Sequence, residues 1–278
     1  MPRQQAQPII TLTTDFGMRD HYVACMKGVI AQIAPDARVI DVSHAIEPQN
    51  ILGAAYVLYN AIGWFPPQSI HVVVVDPGVG TSRGIIAARY GTQTVIAPDN
   101  GIISLVHQAY KIDEARIINN PHIALSQVSN TFHGRDLMAP AAAHLAKGAG
   151  FNELGPATNH VEVLQSVKPK IKSAAKIEGQ VIYIDHFGNL LSNIRGRDLE
   201  AMSDDGGEFL VSICGSESGL RSIGKLQKTY ANVPAGDLVS IVSSGGFVEI
   251  AVHLGNAQER LGSEIGHPVV VERNRDSR

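Results

Sequence analysis

Four loop stretches in the first half of the chain carry side chains whose types and spacing suit work on a small polar molecule. They are TTDFGMRD (13–20), DVSH (41–44), DPGVGTSRG (76–84) and TFHGRD (131–136). Asp76 closes the apolar run VVVVD, and Arg83 stands seven residues further along the same loop. With His133 they offer an anion, a permanent cation and a group that titrates near neutrality, the types that hold and orient a water. Each has a plainer account when taken alone. Asp15 either belongs to such a site or caps the helix expected from about Asp20. Asp41 and His44 stand just ahead of a helix and read as structural. Arg83 alone reads as a surface cation or an acid's partner, and His133 alone as a satisfied polar residue. GVGTSRG lacks the Lys-Ser/Thr ending of a phosphate loop and the third glycine of a dinucleotide turn. In the second half, YIDHFGNLLSN sets Asp185 and Asn189 on a turn, and SSGGFVEIAVHLGNA supplies Ser243, Ser244 and Gly245-Gly246. Both stretches also suit ordinary hairpins.

The elements that must position these groups follow from periodicity. PIITLT, RVIDV and SIHVVVVD read as strands, separated by helical patterns in DHYVACMKGVIAQIAP and QNILGAAYVLYNAIGWFP. GIIAARY and TQTVIAP read as a strand pair with a turn at Gly91-Thr92, and NGIISLVHQA and DLMAPAAAHLAKGA as further helices. This order predicts an α/β domain over 1–165, a largely parallel sheet with helices on both faces. Ligands of open α/β sheets sit beyond the carboxyl ends of strands, so Asp15, Asp76 and Asp41 are expected to converge. SVKPKIKSAAK reads as a linker over 166–176. Short strands then follow (IEGQVIYID, LLSNI, GEFLVSIC, DLVSIVSS, FVEIAVHL, PVVVER), predicting a small all-β barrel domain over 177–278. The tail RNRDSR is expected to be a disordered, solvated end.

Bulk composition narrows the function classes. The 278 residues are 44% hydrophobic and 18% charged, with a formal net charge of −3. No basic run marks a nucleic-acid surface. No apolar run approaches the length needed to span a membrane, and MPRQQAQP lacks the pattern of a signal peptide. A cytoplasmic enzyme with a small-molecule substrate is the expectation. Cys25 and Cys214 read as thiols rather than a disulfide or metal pair.

TTDFG, VDPGVGTSR, PDNG, TFHGRD and IDHFGN, in this order from Ile9 to about Val271, resemble the S-adenosyl-L-methionine hydrolase (hydroxide adenosyltransferase) family. That family is related to the fluorinase and chlorinase. The resemblance implies an N-terminal α/β domain, a C-terminal β-barrel, and a homotrimer with substrate held between one subunit's N-terminal domain and the next subunit's C-terminal domain. It implies that Asp76, Arg83 and His133 hold the attacking water and that Asp15 binds ribose. It further implies that Asp185 meets the methionine amino group, Asn189 the adenine and Ser244 the methionine carboxylate. The halogenases carry tyrosine at the position of Asp76, and the fluorinase carries serine at that of Gly134. Both departures argue against a halide pocket. Gln49 stands where the fluorinase has a substrate-packing tryptophan.

The implied reaction is attack of water or hydroxide on ribose C5′, giving adenosine and L-methionine. A sulfonium departs as a neutral thioether, so no general acid, cofactor or metal is expected. A guanidinium beside Asp76 weakens that carboxylate as a base. Asp76 and His133 are therefore expected to orient the water, with His133 the better proton acceptor and Arg83 fixing Asp76 or stabilising hydroxide. Two rival readings remain. One is a metal-dependent phosphoesterase drawing on Asp15, Asp41, His44, Asp76, Asp99, Asn100 and His133; the other is a sensor that binds the nucleoside without turnover.

Overall fold

The computed structural model describes residues 7–202, 207–215 and 219–274. The first six residues, part of the start expected to lack a signal peptide, and the expected disordered tail from residue 275 lie outside the described residues. The described chain divides into two compact units, 1–164 and 165–278.

The first unit is a six-stranded sheet in the order β2-β1-β3-β5-β4-β6. Its strands are β1 (Ile9–Thr14), β2 (Arg38–Ser43), β3 (Ile70–Val74), β4 (Ile85–Tyr90), β5 (Gln93–Pro98) and β6 (Glu114–Ile117). β2, β1, β3 and β5 run parallel, while β4 pairs antiparallel with both β5 and β6. The sheet is therefore mixed: β6 points the same way as β2, β1, β3 and β5, and β4 alone runs against them. The reason is local: Gly91, at φ 58°, and Thr92 join β4 to β5, and a two-residue turn permits only antiparallel pairing.

The strands are apolar on both sides because both sides are covered. Val72 and Val74 pack with Ile10 and Leu12 against Met26 and Ile30 of α1 (Tyr22–Ile33) and the alanines of α4 (Ala139–Ala146). Val73 and Val75 face the other way, toward Ala54, Leu58 and Ile62 of α2 (Ile51–Ile62) and Val106 of α3 (Ser104–Ala109). Burying each of these large side chains contributes about 1.5–3 kcal/mol. This packing holds the carboxyl ends of β1 and β3 side by side, with Thr14 opposite Val74.

The second unit is a barrel. Its strands are β7 (Lys170–Ser173), β8 (Lys176–Ile184), β9 (Leu190–Arg195), β10 (Phe209–Cys214), β11 (Leu220–Gln227), β12 (Leu238–Val242), β13 (Phe247–Val252) and β14 (Pro268–Arg273). The ring β14-β10-β11-β12-β13-β9-β8 closes because β14 pairs with β8 as well as β10, and β7 flanks β8 beside the ring. Its interior holds Ile177, Val181, Leu190, Ile194, Val211, Ile213, Val248, Ile250, Val269 and Val271. Two one-turn helices, α5 (Gly196–Glu200) and α6 (Ala257–Leu261), punctuate it. Within 166–176 the chain forms a 3₁₀ turn (Gln165–Val167), then β7 and the first residue of β8.

Candidate active site

Asp76 is the second residue past β3, on a loop that turns back at once. Val79 N–H donates to the Asp76 carbonyl and Thr81 N–H to that of Gly78. Gly80 takes φ 80°, and a Cβ there would stand 2.5 Å from the Asn130 carbonyl oxygen. Only glycine fits, and its absent side chain lets the loop lie against the 129–133 segment. That segment is tied down by Asp136, whose side chain is buried. Its Oδ2 accepts from Ser129 N–H (2.8 Å) and Ser129 hydroxyl (2.7 Å), and its Oδ1 from Arg135 Nε (2.6 Å). Burial pushes the Asp136 pKa up, but the hydrogen bonds from Arg135 and Ser129 outweigh it and hold the group below its usual value. His133 then leads into a π-helical turn, Gly134–Met138, that runs on into α4. Gly134 backs onto Val74 and Met26, where a Cβ would meet Val74 Cγ1 at 3.3 Å.

These two loops bring Asp76, Arg83 and His133 together. Arg83 Nε donates to Asp76 Oδ1 at 2.8 Å, and its Nη2 donates to Asp76 Oδ2 and, at 2.9 Å, faces His133 Nδ1. The Arg83 and Asp76 side chains are 11% and 6% exposed, so the fork–fork pair is largely shielded from water. A guanidinium has no acceptor, so His133 Nδ1 must accept and the ring proton sits on Nε2. Burial first, and then the Arg83 charge, push the His133 pKa below its ordinary value. The expectation that His133 is the better proton acceptor meets an obstacle here, because its basic nitrogen is already occupied.

Asp15 follows β1 directly, and β1 is the strand paired with β3, with Thr14 opposite Val74. It caps nothing: α1 begins at Tyr22 behind His21, without a side-chain cap. Asp15 Oδ2 instead accepts from Gln49 N–H at 2.8 Å. Asp41 does not join this edge. It lies within β2 opposite Leu12, bonded to Lys27 Nζ (2.6 Å) and 3.0 Å from His44 Nε2. Burial raises its pKa, but Lys27 and His44 more than reverse that. His44 Nδ1 meets the Thr14 hydroxyl at 2.8 Å, so Asp41 and His44 serve the scaffold. Asn100 donates to the Val75 carbonyl at 2.9 Å, bracing the chain just before Asp76. Asp99 accepts from Glu162 N–H, and burial raises its pKa. Among the described residues, no group of three or more His, Cys, Asp or Glu side chains is placed to hold a metal ion.

In the second unit, Asp185 and Asn189 form one tight turn between β8 and β9. Asp185 Oδ1 accepts from Phe187 N–H and Asn189 N–H, and Oδ2 from Asn189 Nδ2, each at 2.9 Å. Ser244 is exposed on the β12–β13 turn. Sequence reasoning assigned no role to Glu249 or Tyr230. Glu249 is 4% exposed and accepts from the Tyr230 hydroxyl at 2.6 Å, and burial, followed by Asp185, raises its pKa. A carboxylate at a strand position flanked by Val248 and Ile250 was the available signal. Gln49 had none, since nothing in a glutamine announces a main-chain contact.

A mixed α/β unit with an Asp–Arg–His cluster past its central strand, followed by a closed β-barrel unit, defines the class. Residues 10–155 match the SAM hydroxide adenosyltransferase N-terminal domain and residues 179–270 its C-terminal domain, and the chain belongs to that family. It is 36% identical over 272 residues to the (R)-S-adenosyl-L-methionine hydrolase of Thermus thermophilus, covering 95% of this chain and 98% of that protein. It is 30% identical to the fluorinase of an Actinoplanes species, covering 69% and 74%. A crystal structure of an uncharacterized conserved protein from Thermotoga maritima superposes with a TM-score of 0.84 at 37% identity, over 95% of this chain and all of that one.

Proposed function

We propose that this protein hydrolyses S-adenosyl-L-methionine at ribose C5′, giving adenosine and L-methionine, and that its substrate is the (R)-sulfonium epimer named for its relatives. The observation that carries this reading is the Asp76–Arg83–His133 cluster in a chain of this family. Water donates one hydrogen bond to a free lone pair of the Asp76 carboxylate and accepts another from His133 Nε2–H. Its remaining lone pair is then directed at C5′. The C5′–O bond forms as the C5′–S bond breaks, and the bonding pair leaves on sulfur as a neutral thioether.

Proton removal comes late. The nascent oxonium on C5′ is a strong acid, so its proton goes to the Asp76 carboxylate and from there to solvent. Holding water in line supplies most of the acceleration, since orientation contributes several kcal/mol. The sulfonium carries its own leaving group, so the chemistry calls for no cofactor. In this reading Asp15 binds the ribose hydroxyls, Asp185 the methionine ammonium, Asn189 the adenine and Ser244 the methionine carboxylate. A homotrimer belongs to the same proposal and rests on the family likeness; sedimentation equilibrium tests it.

The decisive experiment incubates chelator-treated protein with each sulfonium epimer in 18O-labelled water. Adenosine carrying 18O at its 5′ oxygen, from the (R) epimer and lost in Asp76→Ala, is the expected result. Substrate binding without adenosine overturns the hydrolase reading in favour of a sensor.

A further inference from the structure

Gln49 holds φ at 68°, in the left-handed region that residues other than glycine rarely occupy. It lies in the connection between β2 and α2, which is bonded to the end of β1 and the loop after it at three points. The Thr14 hydroxyl meets His44 Nδ1, Gly17 N–H donates to the His44 carbonyl, and Gln49 N–H donates to Asp15 Oδ2, each at 2.8 Å. The first two hold the loop's framework. Only the third touches the carboxylate.

The chain after Gln49 is fixed, because Asn50 Oδ1 accepts from Gly53 N–H at 2.7 Å and starts α2. Returning Gln49 to a negative φ swings its own N–H away from Asp15. Strain held in this way is characteristic of functional sites. We propose that Gln49 is a positioning residue whose main-chain N–H, presented by its left-handed conformation, fixes Asp15 Oδ2. Oδ1 is thereby left for the ribose hydroxyls, and the enzyme selects the ribose substrate over its 2′-deoxy analogue. The proposal rests on Asp15 being the ribose acid.

The test is a series at position 49 graded by tolerance of positive φ: Gln49→Gly and Gln49→Asn, then Gln49→Ala, then Gln49→Val. The readout is the ratio of kcat/KM for S-adenosyl-L-methionine over its 2′-deoxyribose analogue, with Tm measured alongside. Glycine and asparagine should keep the ratio, alanine should lower it a few-fold, and valine about 10-fold, the scale of one hydrogen bond to a charged group. Asp15→Ala should lose the ratio equally, and adding Gln49→Val to it should change nothing more. Should Gln49→Val not fold, the order of glycine and asparagine against alanine carries the test. A ratio that follows side-chain size or polarity, or variants that move Tm and leave the ratio alone, overturns the role of Gln49. If Asp15→Ala leaves the ratio intact, the ribose reading of Asp15 falls first and takes this proposal with it.

Discussion

Arg83 makes its three contacts through a planar fork, and a lysine ammonium cannot reproduce that shape even though it keeps the charge. Arg83→Lys should therefore lower kcat about 100-fold, the penalty of a misplaced nucleophile, with KM changed little. Single-turnover rates under saturating substrate check this; a kcat within a few-fold of the parent enzyme contradicts the clamp. His133 gives a second prediction. A base whose pKa is depressed on folding stays neutral as the pH falls through 6.5, and here neutrality keeps Nδ1 open to Arg83. Protonation would set one N–H against another. The kcat profile should therefore stay level through pH 6.5 and fall only below it, and an acid limb centred at or above 6.5 counts against the assignment.

At the scale of elements, the clamp depends on two loops lying against each other, and Gly80 is where they touch. Gly80→Ala puts a Cβ on the Asn130 carbonyl and a side chain at φ 80°, which costs on the order of 1–3 kcal/mol. The loops can separate without the sheet unfolding, so the variant should lose more kcat than thermal stability. Equal loss in both would place Gly80 in the general packing instead. What the sequence made legible follows the same division. β3 was readable because its β-branched run is buried on both faces, and Asp76 and Arg83 because they follow that strand end. β11 was missed: Arg221, Ser222, Lys225 and Gln227 leave no apolar alternation, and its first residues are exposed. β6 is four residues long with one buried side chain. The direction of β4 turned on a two-residue connection, although the strand pair itself was read. The contact of Gln49 with Asp15 had no signature, since a dihedral angle forced by tertiary packing is not written in residue type.

At the scale of the whole molecule, one buried histidine links the first unit's stability to pH. His71 is 1% exposed on β3, accepts from the Thr11 hydroxyl at 2.8 Å and faces Gln93 Oε1 at 3.2 Å. Burial pushes its pKa down from 6.5 to about 4. The unfolded chain therefore binds this proton more readily than the folded one. The stability this neutral histidine contributes is complete above pH 6.5 and is lost as the pH falls toward 4, in total about 3 kcal/mol. Differential scanning calorimetry should show Tm falling over that interval in the parent protein, with a shallower fall in His71→Gln. Parallel curves would assign the acid sensitivity elsewhere.

The closure of the barrel also sets a timetable for synthesis. β8, the first strand made in the ring, takes β14 as one of its two ring neighbours, so the circle stays open until residues 268–273 have been made. The first unit is complete in the growing chain at residue 164. At about 5–20 residues per second, a ribosome leaves an interval of several seconds between the two. Over that interval, the apolar interior of the second unit emerges strand by strand with no closed wall to receive it until β14 arrives.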